Sequence, residues 1–168
     1  TVYLCARRAQ APHNLPITPR TSPAPNPAQN ALNPTSGVAN NLLFYTNDIS
    51  NANWGKYQCT VSPNVMIAPD GTLTADKFVE NTVVGVEHFY YKSYSFSNTT
   101  VTGSIYAKAA ERNRVVVGFS NFVDASAVVE FDLLAGNIIA TSVDSFDFIN
   151  TSGTITNVGN GWYRCSIT

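Results

Sequence analysis

The chain contains few charged residues. Asp, Glu, Lys and Arg make up 12% of its 168 residues, and ten basic against eleven acidic side chains leave a net charge of −1. A charge this small produces no overall field that would attract a polyanion. We therefore expect neither nucleic acid nor a membrane among its partners. Asn, Ser and Thr supply the polar surface instead, a composition typical of extracellular and virion β-proteins.

Cysteine is also scarce. Cys5, Cys59 and Cys165 show no CxxC spacing, which argues against a zinc site. One disulfide with a spare thiol and three buried thiols are both compatible with this count. No apolar run reaches the ~18 residues of a membrane span, and the start of the chain has no signal-peptide pattern. Because the chain begins without Met, we expect it to be processed or to be a piece of something longer.

Residues suited to catalysis are few. The two histidines are His13 and His88, and no GxSxG, GxGxxG or GxxxxGK[ST] pattern is present. Paired carboxylates can hydrolyse a glycoside, but Asp70, Asp124 and Asp132 fall at strand ends and turns, which explains them without catalysis. We predict that the chain is not an enzyme and has no catalytic residue, metal site or cofactor. Structural calcium, held by loop oxygens, is the alternative.

Prolines are concentrated near the N-terminus. Seven of the nine lie between Pro12 and Pro34, and because proline fixes φ and removes a hydrogen-bond donor, residues 1–39 are predicted to form an extended arm or linker. The first 37 residues carry three basic side chains and no acidic one, giving +3, whereas the rest carries seven basic and eleven acidic ones, giving −4. Arg7, Arg8 and Arg20 therefore either contact an acidic neighbour or belong to a passive tether.

The first residues, "TVYLCA", have the composition of a strand. The proline-rich residues behind them have too few large apolar side chains to fold alone, and nothing local offsets the ~1–2 kcal/mol that ordering each residue costs. We therefore expect the arm, wherever it is ordered, to lie against another chain, with "TVYLCA" paired to a foreign strand or packed in a groove.

Residues 40–168 are predicted to form one antiparallel β-sandwich. Short alternating segments with turn residues between them recur at roughly ten-residue spacing. Val129, Phe131 and Leu133 share one strand face, and "FDLLAGNIIATSV" is typical of a hairpin that turns at Gly136. "YAKAAERNR" is too short for an independent helix and is predicted to be a strand end and turn.

Two polar and aromatic segments are candidate sites. In "APDGTLTADKFVE", Asp70 and Gly71 are predicted to form a turn, and Asp76 and Lys77 a local polar pair. In "HFYYKSYSF", strand alternation separates two faces, and one face can show tyrosines to solvent. Exposed aromatic rings stack on sugars. The alternative is that these rings cover a sheet or a subunit contact. The residues predicted to bind carbohydrate are His88, Tyr90, Lys92 and Tyr94.

Five segments in order resemble a domain of tailed-bacteriophage virion proteins, particularly tail fibres and tail-associated proteins. They are "NLLFYTNDISNANWGK", "APDGTLTADKFVE", "GSIYAKAAERNR", "EFDLLAGNI" and "NVGNGWYRCSIT". The resemblance, over residues 40–168, implies a jelly roll similar to concanavalin-like or carbohydrate-binding-module-like domains. It implies a non-catalytic virion component in an extracellular particle, most naturally an exposed fibre or appendage that contacts host-surface glycans.

Other roles stay open beside this one. A capsid decoration or cement protein, whose arm ties virion subunits into a homo-oligomer, is the first alternative, and a polysaccharide depolymerase is the second. Similar domains continue beyond the "GWYRCS" strand, so we expect either a longer chain or a partner that completes the sheet. Resemblance and strand alternation together place four residues in the core: Trp54, Phe131, Tyr163 and Cys165.

Overall fold

The computed structural model describes residues 2–5 as a backbone strand and, with their side chains, residues 41–95, 100–121, 125–144 and 148–168. The chain divides into two compact units, one made of Thr1–Arg7 with Tyr45–Thr168 and one of Arg8–Phe44. Of the second unit, residues 41–44 are described; they contain no helix or strand, and the backbone N–H of Leu43 donates to Oδ1 of Asn41 at 3.1 Å.

All regular structure in the described part of the first unit is β-strand. The strands are β1 (Val2–Cys5), β2 (Gly55–Tyr57), β3 (Cys59–Ile67), β4 (Leu73–Glu80), β5 (Phe89–Tyr91), β6 (Gly103–Ala109), β7 (Arg114–Ser120), β8 (Ser126–Asp132), β9 (Asn137–Val143), β10 (Gly153–Gly159) and β11 (Trp162–Ile167). Every pairing between them is antiparallel. The prediction of an antiparallel all-β domain is confirmed. Across the described ranges there is no helix that could span a membrane.

The strands form three sheets. A large sheet has the order β10-β11-β6-β1-β4-β3, a small sheet has the order β7-β8-β9, and β2 pairs with β5 in a ribbon. The segment "YAKAAERNR" contains the end of β6 and the turn into β7, as predicted. The β8–β9 hairpin is also confirmed: Gly136 has φ +68°, and its N–H donates to the carbonyl oxygen of Asp132 at 2.9 Å.

Strand β1 lies inside the large sheet. Val2 pairs with Phe78 of β4 on one side and with Ala109 of β6 on the other. The expectation that "TVYLCA" is ordered only against another chain is therefore wrong, because β4 and β6 leave room for one strand and β1 supplies it. The proline-rich remainder of the arm, with Arg7, Arg8 and Arg20, lies outside the described residues.

The core lies between the large and small sheets. Val129 and Phe131 of β8 are fully buried, as are Cys165 and Ile167 of β11. Gly153 of β10 shows how closely the two sheets approach, since a Cβ atom built on it would lie 2.6 Å from Cγ1 of Val129. A glycine at this position of β10 thus makes room for a branched side chain of the facing sheet.

A second apolar cluster is formed by Ala68, Ala75 and Trp162, with Met66 and Tyr106 packed against it. Strand alternation accounts for this arrangement, because Trp162 and Cys165 lie on opposite faces of β11. Trp162 contributes to the second cluster, while Cys165 and Ile167 are buried in the core. Both faces of β11 are therefore covered over most of its length.

Candidate aromatic ligand site

The β2–β5 pair places aromatic side chains on a short ribbon. Gly55 pairs with Tyr91, Lys56 with Tyr90 and Tyr57 with Phe89. Directly opposed residues of an antiparallel pair point to the same face, and neighbours along a strand alternate. Tyr57, Phe89 and Tyr91 therefore share one face, which we call the aromatic face, and Lys56 and Tyr90 belong to the other.

The three rings of the aromatic face form a row. Tyr57 and Phe89 are stacked, with centroids 5.2 Å apart and an interplanar angle of 29°. Phe89 and Tyr91 are tilted against each other at 5.8 Å. Tyr57 is 45% exposed and Tyr91 39% exposed, so much of both side chains remains open to solvent.

Gly55 leaves room for the ring of Tyr91 in this row. A Cβ atom built on Gly55 would clash with three ring carbons of Tyr91. The ring of Tyr91 thus lies directly against the backbone of β2, at a distance that any other residue would prevent. The glycine of "WGKY" therefore leaves the space that an aromatic ring of the opposite strand occupies.

Beside the rings is an open depression of about 320 Å³, lined by Lys56, Tyr57, Phe89 and Tyr91. Its size is at the lower end of the range for small-molecule sites, roughly 300–1,000 Å³. Three aromatic residues and one lysine line it. Such a surface suits a ring-shaped ligand that stacks rather than one held by charge.

The ammonium group of Lys56 is already engaged. Its Nζ atom donates to the backbone carbonyl oxygens of Ser50, Asn51 and Trp54 at 3.2, 3.1 and 3.1 Å. An ammonium group has three donors, so these bonds use its full capacity. Among the described residues of this lining Lys56 is the only charged one, and its donors are already used, so the depression offers a ligand no free charged donor from these residues.

The opposite face of the ribbon is anchored in the domain. Tyr90 meets Trp54 edge-on, with centroids 5.5 Å apart, and Phe78 of β4 at 6.0 Å. Trp54 is buried, and its Nε1–H donates to the carbonyl oxygen of Tyr45 at 3.0 Å. These contacts attach the ribbon to the rest of the domain on the side opposite to the aromatic face.

The four residues predicted to bind carbohydrate are not the ones that line the depression. Tyr90 packs inward, and Nδ1 of His88 lies 2.7 Å from the carbonyl oxygen of Gln58. Nζ of Lys92 donates to the carbonyl oxygen of Asn53 at 2.9 Å, and Tyr94, beyond the end of β5, is 47% exposed. Strand alternation correctly placed Tyr90 on the face opposite to Phe89 and Tyr91. It did not indicate which of these two faces packs against the rest of the domain.

Sequence reasoning missed Tyr57 and Gly55. Strand β2 has three residues, too few to show alternation, and its pairing with β5 joins residues more than thirty positions apart. The one local signal was the Gly between Trp54 and Lys56, since a glycine in a strand often marks the close approach of another group. Of the predicted core residues, Trp54, Phe131 and Cys165 are buried and Tyr163 is half-buried.

The carboxylates of "APDGTLTADKFVE" have separate structural roles. Oδ1 of Asp70 accepts bonds from the N–H and the hydroxyl of Thr72 at 3.0 and 2.7 Å, and Gly71 has φ +84°, as a turn requires. The predicted Asp76–Lys77 pair is wrong, because neighbours in a strand point to opposite faces. Lys77 instead forms an ion pair with Glu111 at 2.7 Å.

Asp76 is a buried carboxylate, 2% exposed. It accepts backbone N–H bonds from Ile49 and Asn64, both at 2.9 Å. Burial raises the pKa of Asp76, and these N–H bonds oppose that rise. In the parts of the chain that the structure describes, no three His, Cys, Asp or Glu residues are grouped as a metal site would need.

No protein-family model matches the chain. A search of curated proteins also found no match. The resemblance to phage virion domains therefore stays a prediction drawn from the five sequence segments.

Proposed function

We propose that the chain is a non-catalytic component of an extracellular virion, folded as a jelly-roll-type β-sandwich behind a proline-rich arm. Its aromatic face binds carbohydrate of the host surface, as an exposed fibre or appendage would. The observation that carries this proposal is the row of Tyr57, Phe89 and Tyr91 beside a depression whose single lysine is already bonded.

Sugar chemistry fits this surface. The negative face of an aromatic ring attracts the slightly positive C–H groups of a pyranose, so sugar rings pack flat against tyrosines. A neutral pyranose needs no charged partner, which agrees with a depression whose one charged residue in the described lining, Lys56, already uses its donors. Hydroxyl groups at its rim can bond to backbone or water. The low charge of the whole chain is consistent with this choice of ligand.

A glycan array probed with the full chain tests the proposal, followed by calorimetric titration of any glycan that binds. Replacing Tyr57 or Tyr91 with Ala removes one stacking ring and should weaken binding by roughly twofold to tenfold. Tyr94→Ala is the matched control, because Tyr94 is an exposed tyrosine outside the depression lining. Binding that depends on Tyr94 and not on Tyr57 would move the site to the face predicted from sequence.

The array also separates the alternatives. A chain that binds no glycan but attaches to particles through residues 1–37 would be a decoration or cement protein. Release of reducing ends from a purified host polysaccharide, abolished by replacing one carboxylate, would indicate a depolymerase. The cement role is the second candidate; because β1 lies in the large sheet of its own chain, the tie between subunits would have to come from the rest of the arm or from an exchanged β1.

A further inference from the structure

Strand β1 has an unusual position for the first residues of a chain. It lies between β4 and β6 and is antiparallel to both, with Leu4 opposite Asp76 on one side and opposite Ala107 on the other. Because both neighbours are antiparallel to β1, β4 and β6 run parallel to each other. They are therefore separated by the width of one strand.

We call the gap between Asp76–Phe78 of β4 and Tyr106–Ala109 of β6 the β1 slot. Adjacent strands lie about 4.8 Å apart, so the slot is about 10 Å wide and β4 cannot bond directly to β6 across it. Without β1, backbone N–H and C=O groups on both sides would lose their partners, at a cost that few buried groups tolerate. The slot requires a strand, and four residues fill it.

The strand in the slot is joined to the rest of its unit by a long segment. Residues 6–40, which is 35 residues, separate β1 from the next described residue, and they include seven of the nine prolines. Proline restricts the backbone to extended conformations. Thirty-five residues span at most roughly 115–125 Å when fully extended, so the segment is long enough to reach a slot in another chain as well as its own.

We propose that the β1 slot also accepts Val2–Cys5 of a second copy of the chain, so that copies exchange their first strands and assemble. An exchanged strand makes the same two ladders of hydrogen bonds as the chain's own strand, which makes exchange a low-cost route to an oligomer. The closed form, with its own β1 in the slot, and the exchanged form then differ mainly in where the tether runs. This inference does not depend on carbohydrate binding.

Cysteine cross-linking of full-length chains tests the proposal. Cys5 lies directly opposite Tyr106 in the β1–β6 ladder. Opposed residues have Cβ atoms about 4.5–5.5 Å apart, close enough for a disulfide after a small adjustment. The acceptor chain is Cys5→Ser with Tyr106→Cys, and the donor chain is the unmodified sequence fused to a tag that changes its size. The two are unfolded together in urea, refolded, oxidised and run on a non-reducing gel.

The matched control is a tagged donor with Cys5→Ser, which keeps Cys59 and Cys165. We expect a disulfide-linked heterodimer that needs both Cys5 of the donor and Tyr106→Cys of the acceptor, so that it is absent with the control donor and with a Cys5→Ser acceptor that keeps Tyr106, and a larger fraction of heterodimer at higher protein concentration. A well-folded acceptor that gives no Cys5-dependent heterodimer at any concentration would overturn the proposal. If circular dichroism shows that the acceptor is unfolded, Val2→Cys in the donor and Ala109→Cys in the acceptor provide the same test at the other end of the ladder.

Discussion

Asp76 and Ile49 are joined by a buried hydrogen bond: Oδ2 of Asp76 accepts the backbone N–H of Ile49 at 2.9 Å, across 27 positions of sequence. The other carboxylate oxygen accepts the N–H of Asn64, whose φ of +54° lies in the left-handed region. One side chain of β4 thus holds both the loop before β2 and the irregular part of β3.

Asp76→Asn should destabilise the domain. An amide has one acceptor oxygen, so one of the two N–H groups would face the NH₂ group and lose its bond. We expect a loss of about 1–3 kcal/mol in the free energy of unfolding, measured by urea denaturation. Asp70→Asn is the control, because Asp70 is exposed in a turn and its replacement should cost less than about 0.5 kcal/mol. Equal losses in both variants would contradict the role assigned to Asp76.

The contribution of Asp76 to the free energy of unfolding should depend on pH. Burial raises the pKa of Asp76 above its usual 3.8, so the folded chain holds this proton more tightly than the unfolded chain does. The contribution of Asp76 to stability is therefore full below pH 3.8 and falls as pH rises through the folded-state pKa. The unfolding free energy of the unmodified chain minus that of Asp76→Asn should decrease from acid to neutral pH.

Asp132→Asn should show the opposite slope. The N–H groups of Ala135 and Leu134 bond to the carboxylate and lower the pKa of Asp132 below 3.8. This contribution is present above pH 3.8 and is lost as pH falls through the folded-state pKa. The difference between the unmodified chain and Asp132→Asn should therefore increase as pH rises. Slopes of the same sign for the two variants would contradict the assignment.

The thiols of Cys59 and Cys165 should differ in reactivity. Burial raises the pKa of Cys165 to about 12, so roughly one molecule in ten thousand carries its thiolate at pH 8. Burial also raises the pKa of Cys59, but the N–H of Tyr57 and the charge of Lys56 oppose that rise, and the side chain is half-buried. Mass spectrometry of peptides after iodoacetamide treatment should find Cys59 labelled in the folded chain and Cys165 labelled only after unfolding. Labelling of Cys165 first would show that the core is not closed around it.

Gly55→Ala should disturb the aromatic face without removing a ring. The added Cβ would displace the ring of Tyr91, so carbohydrate affinity should fall to about the level of Tyr91→Ala. In a Tyr91→Ala background, Gly55→Ala should cause little further loss of affinity, because the added Cβ then meets no aromatic ring. Additive losses would mean that Gly55 acts through the fold and not through Tyr91.

Local patterns in the sequence predicted the strands and hairpins well. Alternation at Val129, Phe131 and Leu133 identified a buried face, and Gly136 marked a turn, because both signals lie within a few residues. Long-range pairing was not predictable in this way. Nothing near Val2 indicates that it pairs with Phe78 and Ala109, which are distant in sequence.

The arrangement of the candidate site was also not predictable from local sequence patterns. The alternation of "HFYY" separates Phe89 and Tyr91 from Tyr90, but either face could have been the buried one. The face of Tyr90 is the covered one because Trp54 and Phe78 pack against it. These two residues belong to a loop and a strand that are separate from β5. The site is therefore set by tertiary contacts that a single sequence does not reveal.

The two larger sheets approach each other closely at Gly153 of β10 and Val129 of β8. A Cβ on Gly153 would lie 2.6 Å from Cγ1 of Val129, which is fully buried in β8. Gly153→Ala should therefore lower the free energy of unfolding by about 1–3 kcal/mol, as overpacking of a core does. Val129→Ala removes the clashing methyl groups, so the double variant should lose less than the sum of the two single losses in urea denaturation. Gly153→Ala combined with Val116→Ala is the control, because Val116 is 56% exposed and its effect should simply add. Strict additivity with Val129→Ala as well would mean that β10 and β8 do not pack directly against each other.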